Sequence, residues 1–325
     1  MIPFLIPILI YFIYVFFNLN KKVSINLISL SMFLLLALRE NVGWDYSNYT
    51  LHYQKEILPF EPVSALLTQF SYLFNDPKYF FAIFAFFTIF IIRKVAIMNN
   101  SVVFLMMYIV LPGFFIESFT LVRQTLALSL VIYGISLYNK NNNYFWILLI
   151  IACFTHYSAI PFSVIFMFFS LLKNKKLIAI FGISIPFIFL SIATIRAEMM
   201  AYFPVLIWYD GTQQYGFSQL YLFAFIFVIT SMKMYKLNST IFWIILIGLF
   251  LTLAVISIDG VFIRLGYYFF IPFLFHRWNK ILFTKNINTF FWIIIFIPLF
   301  LYGLKLKTLD NFENSMLPYK TFLLK

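Results

Sequence analysis

The stretch PKYFFAIFAFFTIFIIRKVAIM, residues 77–98, decides the fold class of this chain. Apolar and aromatic side chains fill it, and its charged residues, Lys78, Arg93 and Lys94, stand near the two ends. A helix needs about 20 residues of this kind to cross a hydrocarbon layer about 30 Å thick. A strand of a membrane barrel would alternate apolar and polar residues, which this stretch does not do. The stretch therefore predicts a transmembrane helix.

The whole chain has the composition of a membrane protein. Of its 325 residues, 63% are hydrophobic and 10% are charged, with a mean hydropathy of +0.96, whereas about a quarter of the residues in a soluble domain are charged. We expect a single integral membrane domain over residues 1–325, an all-α bundle of about twelve spans with outer-face loops and short interfacial helices. The predicted spans are 1–18, 24–39, 77–98, 101–118, 121–138, 143–157, 159–172, 177–194, 217–235, 240–257, 261–276 and 288–306.

The charged residues divide between the two ends of these spans. Thirteen of the 23 Lys and Arg fall in one set of connectors, and all eleven Asp and Glu fall in the other. The positive-inside rule places the basic connectors in the cytoplasm and both chain ends outside. The net charge of +12 then follows from topology and indicates no nucleic-acid partner. The long outer segments are 39–76, 195–216 and 305–325, and loops of this length are usually functional.

Polar side chains gather at the predicted outer ends of the spans, where burial is costly and a bundle interior or wet cavity is the usual surrounding. They are Arg39, Arg123, Arg196, Arg264, Glu117 and His156. The alternative is that each arginine extends its charged group to the lipid headgroups. The two interpretations differ in one test, because an arginine that binds a phosphate through two hydrogen bonds does not tolerate lysine.

Amide, carboxyl and phenol groups stand beside these charges in a pattern that suits a sugar. Tyr267 and Tyr268 follow Arg264 by three and four residues, on one helix face. Gln124 follows Arg123, and Tyr46 and Tyr49 follow Asp45. An aromatic girdle at the interface is the alternative for the tyrosines.

Several catalytic signatures are missing from the chain. It contains no H-E-x-x-H, Walker A, G-x-S-x-G or D-x-D motif, which argues against metalloprotease, P-loop and serine-esterase chemistry and against a metal-held nucleotide sugar. Cys153 is the one cysteine, so no intramolecular disulfide forms. We expect no metal and no cofactor, and arginines would then neutralise any pyrophosphate leaving group.

The order of the motifs resembles the bacterial polysaccharide polymerases, the Wzy-type O-antigen polymerases and in particular their EpsG-like branch. The family pattern R-x-x-x-G-x-D-Y-x-x-Y is matched on the first large outer loop. Further motifs follow it in the family's order. The matching residues are Arg39, Gly43, Asp45, Tyr46 and Tyr49, then Glu61-Pro62, Arg123, Gln124 and Ala127, His156 and Ser158, Arg264, Tyr267 and Tyr268, and Pro318-Tyr319.

The resemblance implies a GT-C-like glycosyltransferase of the inner membrane whose active site faces the periplasm or cell exterior. Its substrates would be undecaprenyl-pyrophosphate-linked oligosaccharides, among membrane lipids, with a chain-length regulator and a flippase as partners. The growing glycan would move to a hydroxyl of the incoming repeat unit, and undecaprenyl pyrophosphate would leave.

The candidate residues are assigned to this reaction by chemistry. Arginines act where charge gathers on the pyrophosphate, with Arg123 and Arg264 first and Arg39 and Arg196 in support. The base that takes the hydroxyl proton is either His156 or Asp45. Glu117 would orient Arg123.

Other functions remain open at this point. A lipid-linked oligosaccharide flippase would also have many spans, although its charges would lie near the midplane and on both sides. An O-antigen ligase or a glycan acyltransferase is a further alternative. The amphipathic stretch 61–74 is expected either to lie on the outer interface or to pack on the bundle.

Overall fold

The computed structural model of this chain describes the N-terminal half almost completely and the C-terminal half in part. The described residues are 2–43, 45–111, 113–140, 142–172, 177, 180–182, 184, 185, 187, 188, 191, 243, 244, 247, 261–275 and 321. Arg196, the segment 195–216, the spans 217–235 and 288–306, and the segment 305–325 apart from Thr321 lie outside them. The predicted spans 177–194 and 240–257 are described only at single positions.

The described residues form helices, and no strand occurs among them. The α-helices are α1 (Ile2–Phe17), α2 (Lys21–Ala37), α3 (Tyr46–Gln54), α4 (Pro62–Tyr72), α5 (Pro77–Met98), α6 (Val102–Val110), α7 (Val122–Tyr138), α8 (Phe145–Thr155), α9 (Ala159–Leu171) and α10 (Val261–Phe269), with 3-10 helices at Ile116–Phe119 and Ile271–Phe275. An isolated antiparallel bridge joins Arg39 to Thr321. The all-α prediction is confirmed for this part of the chain.

Helix α5 has the bounds that its sequence predicts. The Asp76 side chain accepts a hydrogen bond from the Lys78 backbone N–H at 2.9 Å, and Pro77 occupies the first turn, where it needs no N–H partner. Asn99 ends the helix, and Asn100 adopts a φ of 47°, a left-handed conformation that commonly follows a helix end. With 22 residues, α5 is about 33 Å long.

The predicted span 101–118 is wrong as a continuous helix. Helix α6 ends at Val110, and the chain continues through Gly113 at a φ of 90° into the 3-10 helix Ile116–Phe119. Leu111 is extended, with a φ of −72° and a ψ of 131°, as the residue before a proline prefers to be. The hydropathy of the segment is continuous, but Pro112 and Gly113 in the sequence stop the helix.

Helix α2 runs opposite to α5 and α7, which run in the same direction, as the predicted topology requires. At one end of the bundle, Lys140 Nζ donates to the Met98 carbonyl at 2.6 Å, and Asn99 Nδ2 donates to Ser136 Oγ at 2.8 Å. At the other end, Arg39 contacts the Ser118 carbonyl. We call the Arg39 side the site end and the Lys140 side the opposite end.

The chain divides into two compact units. The first comprises Met1–Ala159 and Leu274–Lys325 and holds α1 to α8; the second comprises Ile160–Phe273. In the first unit all nine residues of α6 are buried. In the second, Phe162 packs edge-on against Phe269 at 5.2 Å. The prediction of a single membrane domain stays a prediction.

Membrane-spanning character is clearest in α5. Among the described residues, it is the one helix long and apolar enough to cross a membrane by length and composition. The apolar helices within α1, α7, α8 and α9 are shorter, between 10 and 17 residues.

Candidate functional site

Glu61 connects two of the predicted catalytic residues at the site end of the first unit. Its Oε2 accepts a hydrogen bond from Arg123 Nη1 at 2.5 Å, and its Oε1 lies 3.4 Å from His156 Nδ1. Glu61 precedes α4, Arg123 lies in the first turn of α7, and His156 follows the last residue of α8. Three helix ends therefore bring a carboxylate, a guanidinium and an imidazole together.

The carboxylate lies on the inner side of this cluster. The Glu61 side chain is 8% exposed, whereas those of Arg123 and His156 are 26% and 27% exposed. A buried carboxylate is stabilised by such partners, because an isolated charge in this position would be costly. Glu61 therefore contacts Arg123 and His156 from the buried side, and part of each of these two side chains stays exposed.

Two further hydrogen bonds dock the start of α4 onto the end of α8. The Tyr157 hydroxyl donates to the Phe60 carbonyl at 3.2 Å, and Ser64 Oγ donates to the Thr155 carbonyl at 2.6 Å. Ser64 and Thr155 are fully buried. Residues on both sides of Glu61 are thus held against α8, which fixes the carboxylate beside His156.

The His156 ring has two possible partners at one nitrogen. The backbone N–H of Ser158 points at Nδ1 from 3.3 Å, and Glu61 Oε1 faces the same atom. One nitrogen cannot accept from the first and donate to the second, so the tautomer decides between them. With the proton on Nδ1, the ring donates to Glu61 and Nε2 becomes the proton acceptor.

Helix α3, which follows the loop of residues 39–45 (the Asp45 loop), packs on the start of α5. Tyr46 stacks on Phe81 with ring centroids 4.5 Å apart, and Tyr49 lies 6.3 Å from the same ring. Arg123 lies 5.9 Å from the centre of the Tyr49 ring, and Asp45 is close enough to Arg123 for their charges to interact. Burial raises the pKa of the Tyr46 hydroxyl more than the nearby Asn41 backbone and Arg39 charge lower it.

Arg39 occupies a buried position at the other side of Phe81. It is 2% exposed, its Nη1 donates to the Ser118 carbonyl at 2.9 Å, and its guanidinium lies 4.7 Å from the Phe81 ring and 5.5 Å from the Phe119 ring. A cavity of about 10 Å³, room for roughly one water molecule, adjoins it. As a phosphate ligand Arg39 stays a prediction; here it contacts protein groups.

Gly43 approaches the same segment that Arg39 contacts. A Cβ on Gly43 would lie 1.9 Å from the Phe119 carbonyl oxygen, and its φ of 103° is one that other residues rarely adopt. Arg39 and Gly43 are four residues apart, and both lie against residues 118–119. Together they hold the loop on that segment.

Four other predicted site residues, Glu117, Gln124, Tyr267 and Tyr268, are buried. Glu117 belongs to the 3-10 helix that precedes α7, and Gln124 is buried beside Arg123. In the second unit, Arg264 lies on α10, three and four residues before the buried Tyr267 and Tyr268. The meeting of all four arginines stays a prediction, because only Arg39 and Arg123 have described side chains.

Glu61 is the site residue to which the sequence assigned no role. The available signal was a carboxylate directly before a proline and a predicted helix, in a chain with eleven acidic residues. Among the described residues, no group of three or more His, Cys, Asp and Glu side chains is placed to hold a metal ion.

Comparison with known proteins identifies a family. The model of the EpsG family matches residues 22–321. No curated protein and no solved structure matches the chain. The family match covers the Asp45 loop, the Arg123–Glu61–His156 cluster and α10.

Proposed function

The chain belongs to the EpsG family of polysaccharide polymerase-like membrane proteins, and we propose that it joins lipid-linked oligosaccharide repeat units into a polysaccharide. In this reaction the acceptor hydroxyl of an incoming repeat unit attacks the anomeric carbon of the growing glycan. The anomeric C–O bond breaks, and its electron pair leaves on undecaprenyl pyrophosphate. The reaction is metal-independent, so protein cations must stabilise the leaving group.

The cluster of Arg123, Glu61 and His156 carries this proposal. Arg123 faces the position where negative charge develops on the pyrophosphate, and Glu61 fixes its guanidinium before substrate binds. Preorganised cations of this kind, in a site shielded from water, lower the barrier without reorganising during the reaction. Arg264 is proposed as the second pyrophosphate ligand, with Arg39 and Arg196 in support.

His156 is the preferred base for the acceptor hydroxyl. Its Nδ1 faces a buried carboxylate, an arrangement that holds a neutral imidazole in the tautomer whose Nε2 accepts a proton. Asp45 is the other candidate, because its charge acts on Arg123 from the loop before α3. Tyr46, Tyr49, Gln124, Glu117, Tyr267 and Tyr268 are proposed to bind or frame the saccharide.

We place the site end at the outer face of the bacterial inner membrane, in a multi-pass, GT-C-like bundle of about twelve spans. Support comes from the charges, since the described part of the opposite end carries Lys21, Lys22, Arg93, Lys94 and Lys140 and no acidic residue. A flippase and a chain-length regulator are proposed as partners that supply repeat units and limit polymer length.

The proposal is tested by replacing Arg123 with lysine in a cell that depends on this protein for its surface polysaccharide. Lysine keeps the charge but loses the planar fork that binds a phosphate and Glu61 together. We expect Arg123→Lys to lower polymer formation by about 10²- to 10³-fold, with single repeat units left on the lipid carrier.

The control is Lys78→Arg, which changes a cation at the start of α5 that pairs with Asp76. Its polymer should keep wild-type length. Wild-type polymer from Arg123→Lys would refute the role of Arg123. Loss of every surface unit in a deletion strain would favour a flippase or a ligase over a polymerase.

A further inference from the structure

Helix α4 buries three hydroxyl side chains and exposes three large apolar ones, although Gln69 is also exposed and Leu67 packs inward. Ser64, Thr68 and Ser71 are buried, and they recur at the spacing of one helix face. Leu66, Phe70 and Leu73 lie on the opposite face and are exposed. A helix packed on the core of a soluble protein shows the reverse arrangement.

The inward hydroxyls all have hydrogen-bond acceptors, so their burial is consistent with a stable helix. Ser64 donates to the Thr155 carbonyl of α8, Thr68 to the Ser64 carbonyl, and Ser71 to the Thr68 carbonyl. The Tyr53 hydroxyl donates to the Ser71 carbonyl and ties the far end of α4 to α3. The outward face is therefore presented by a helix held at both ends, and it suits an apolar surrounding.

The exposed apolar face begins beside the ionic cluster. Phe60, which is 92% exposed, directly precedes Glu61, and Leu66, Phe70 and Leu73 are exposed along the helix that follows. We call these four residues the apolar ridge. Helix α4 contains no charged residue and is about 16 Å long. The accessible parts of Arg123 and His156 thus lie at one end of an uncharged apolar surface.

This polarity matches one class of ligand, an amphiphile with an anionic head and a long hydrocarbon tail. We propose that the apolar ridge binds the isoprenoid tail of the lipid-linked saccharide, with its diphosphate beside Arg123 and His156. The inference rests on the proposed function and adds where the lipid lies. Because Tyr157 and Ser64 fasten the start of α4 to α8, the ridge holds the tail in a fixed position relative to the reacting bond.

The experiment measures how strongly binding depends on tail length. Undecaprenyl diphosphate, farnesyl diphosphate and inorganic diphosphate are titrated into the purified full-length protein in nanodiscs. The ridge variant is Leu66→Ala with Phe70→Ala. The control is Leu30→Ala with Phe90→Ala, which removes the same side chains from exposed positions on α2 and α5.

The wild type should bind the long-tailed diphosphate more tightly than the short-tailed one. In the ridge variant that preference should fall by about tenfold, because apolar area against the tail is lost. The control variant should keep the preference, and binding of inorganic diphosphate should not change in either. No turnover is needed, so the result is independent of whether polymer forms.

Three outcomes would overturn the inference. An equal fall in both variants would mean that the ridge contacts bulk lipid only. An unchanged preference in the ridge variant would place the tail on another surface. A change of the ridge variant from dimer to monomer in nanodisc mass measurements would mean that a second copy of the chain covers the ridge. Polymer formation with any of these results would leave the proposed function intact.

Discussion

Arg39 and Gly43 both depend on the backbone at residues 118–119. Arg39 donates to the Ser118 carbonyl from between two phenyl rings, and Gly43 leaves space for the Phe119 carbonyl that a Cβ would fill. Contacts of this kind position the Asp45 loop on the bundle. Two residues of the family pattern therefore have a structural role that is separate from substrate binding.

Replacement of Arg39 by lysine distinguishes a role in stabilising the fold from a role in binding substrate. Lysine lacks the planar group that stacks between Phe81 and Phe119, so we expect Arg39→Lys to lower the free energy of unfolding by about 1 to 2 kcal/mol. Thermal unfolding in detergent measures the change. Arg93→Lys is the matched control, because a lysine there can still donate to Asn26. An unchanged unfolding midpoint with weaker substrate binding would make Arg39 a substrate ligand instead.

Replacement of Glu61 by glutamine tests whether it positions Arg123 and His156. The amide keeps the volume but removes the charge, so we expect kcat to fall by about a hundredfold with a smaller change in KM. The imidazolium of His156 loses its nearby anion, and the acid limb of the pH profile should move to lower pH. Activity of purified enzyme across pH measures both effects.

Glu56→Gln is the control for this change, since Glu56 is an exposed carboxylate of the same loop. Glu61→Asp should restore the shape of the pH profile, though not the full rate. If Glu61→Gln reduced only the amount of folded protein, with kcat and pH profile unchanged, Glu61 would be structural.

At the residue scale, the sequence predicts where Arg123 and His156 lie along their helices, but it does not predict which side chain they contact. Arg123 and His156 lie at span ends because apolar runs begin and end there, and the structure has them at the start of α7 and the end of α8. The bridge through Glu61 has no local signal, because Arg123 is 62 residues away and reaches it only after α4 docks. Local patterns cannot supply that contact.

At the scale of elements, the hydropathy pattern locates helices better than it locates their ends. It predicts α5 correctly because Asp76 and Pro77 mark the start and Asn99 follows the end. It fails for α6, where an apolar run continues past the point at which the backbone turns. The inverted polarity of α4 was also hidden, because an amphipathic pattern does not say which face is inside.

The start of α5 allows a test of its cap. Asp76→Ala should lower the free energy of unfolding by about 1 kcal/mol, because the Lys78 N–H loses its acceptor. Asp76→Asn, the control, should cost less because asparagine also caps helices. Burial raises the pKa of Asp76, but hydrogen bonds and charge from Lys78 outweigh burial and lower it below 3.8.

The lowered pKa fixes the sign of the pH effect. The ionised Asp76 stabilises the fold above pH 3.8, and this contribution is lost as the pH falls through the lower folded-state pKa. Unfolding midpoints of wild type and Asp76→Asn, measured from pH 6 downward, should therefore converge in acid. Parallel curves would contradict the assignment.

At the scale of the molecule, charge is separated along the bundle axis of the first unit. Its opposite end is basic, whereas Glu40, Asp45, Glu56, Glu61 and Asp76 all lie at the site end. Sequence predicts this separation because successive spans place their connectors on alternate sides, and the direction of α2 opposite to α5 and α7 agrees with that order. The proposed orientation in the cell rests on the preference of basic connectors for the cytoplasm.

Cysteine labelling tests that orientation directly. In a Cys153→Ser parent, single cysteines are introduced at Asn48 and Lys55 of the site end and at Lys22 and Asn143 of the opposite end, all exposed positions. A membrane-impermeant maleimide added to intact cells should label the first pair, because the acidic end is translocated. The second pair should react only after the membrane is permeabilised, since basic connectors stay with the anionic inner leaflet. The Cys153→Ser parent, which should stay unlabelled, is the control. Labelling of the basic pair in intact cells would mean that the topology is the reverse of the proposed one. Arg123 and His156 would then lie in the cytoplasm, away from any extracytoplasmic saccharide.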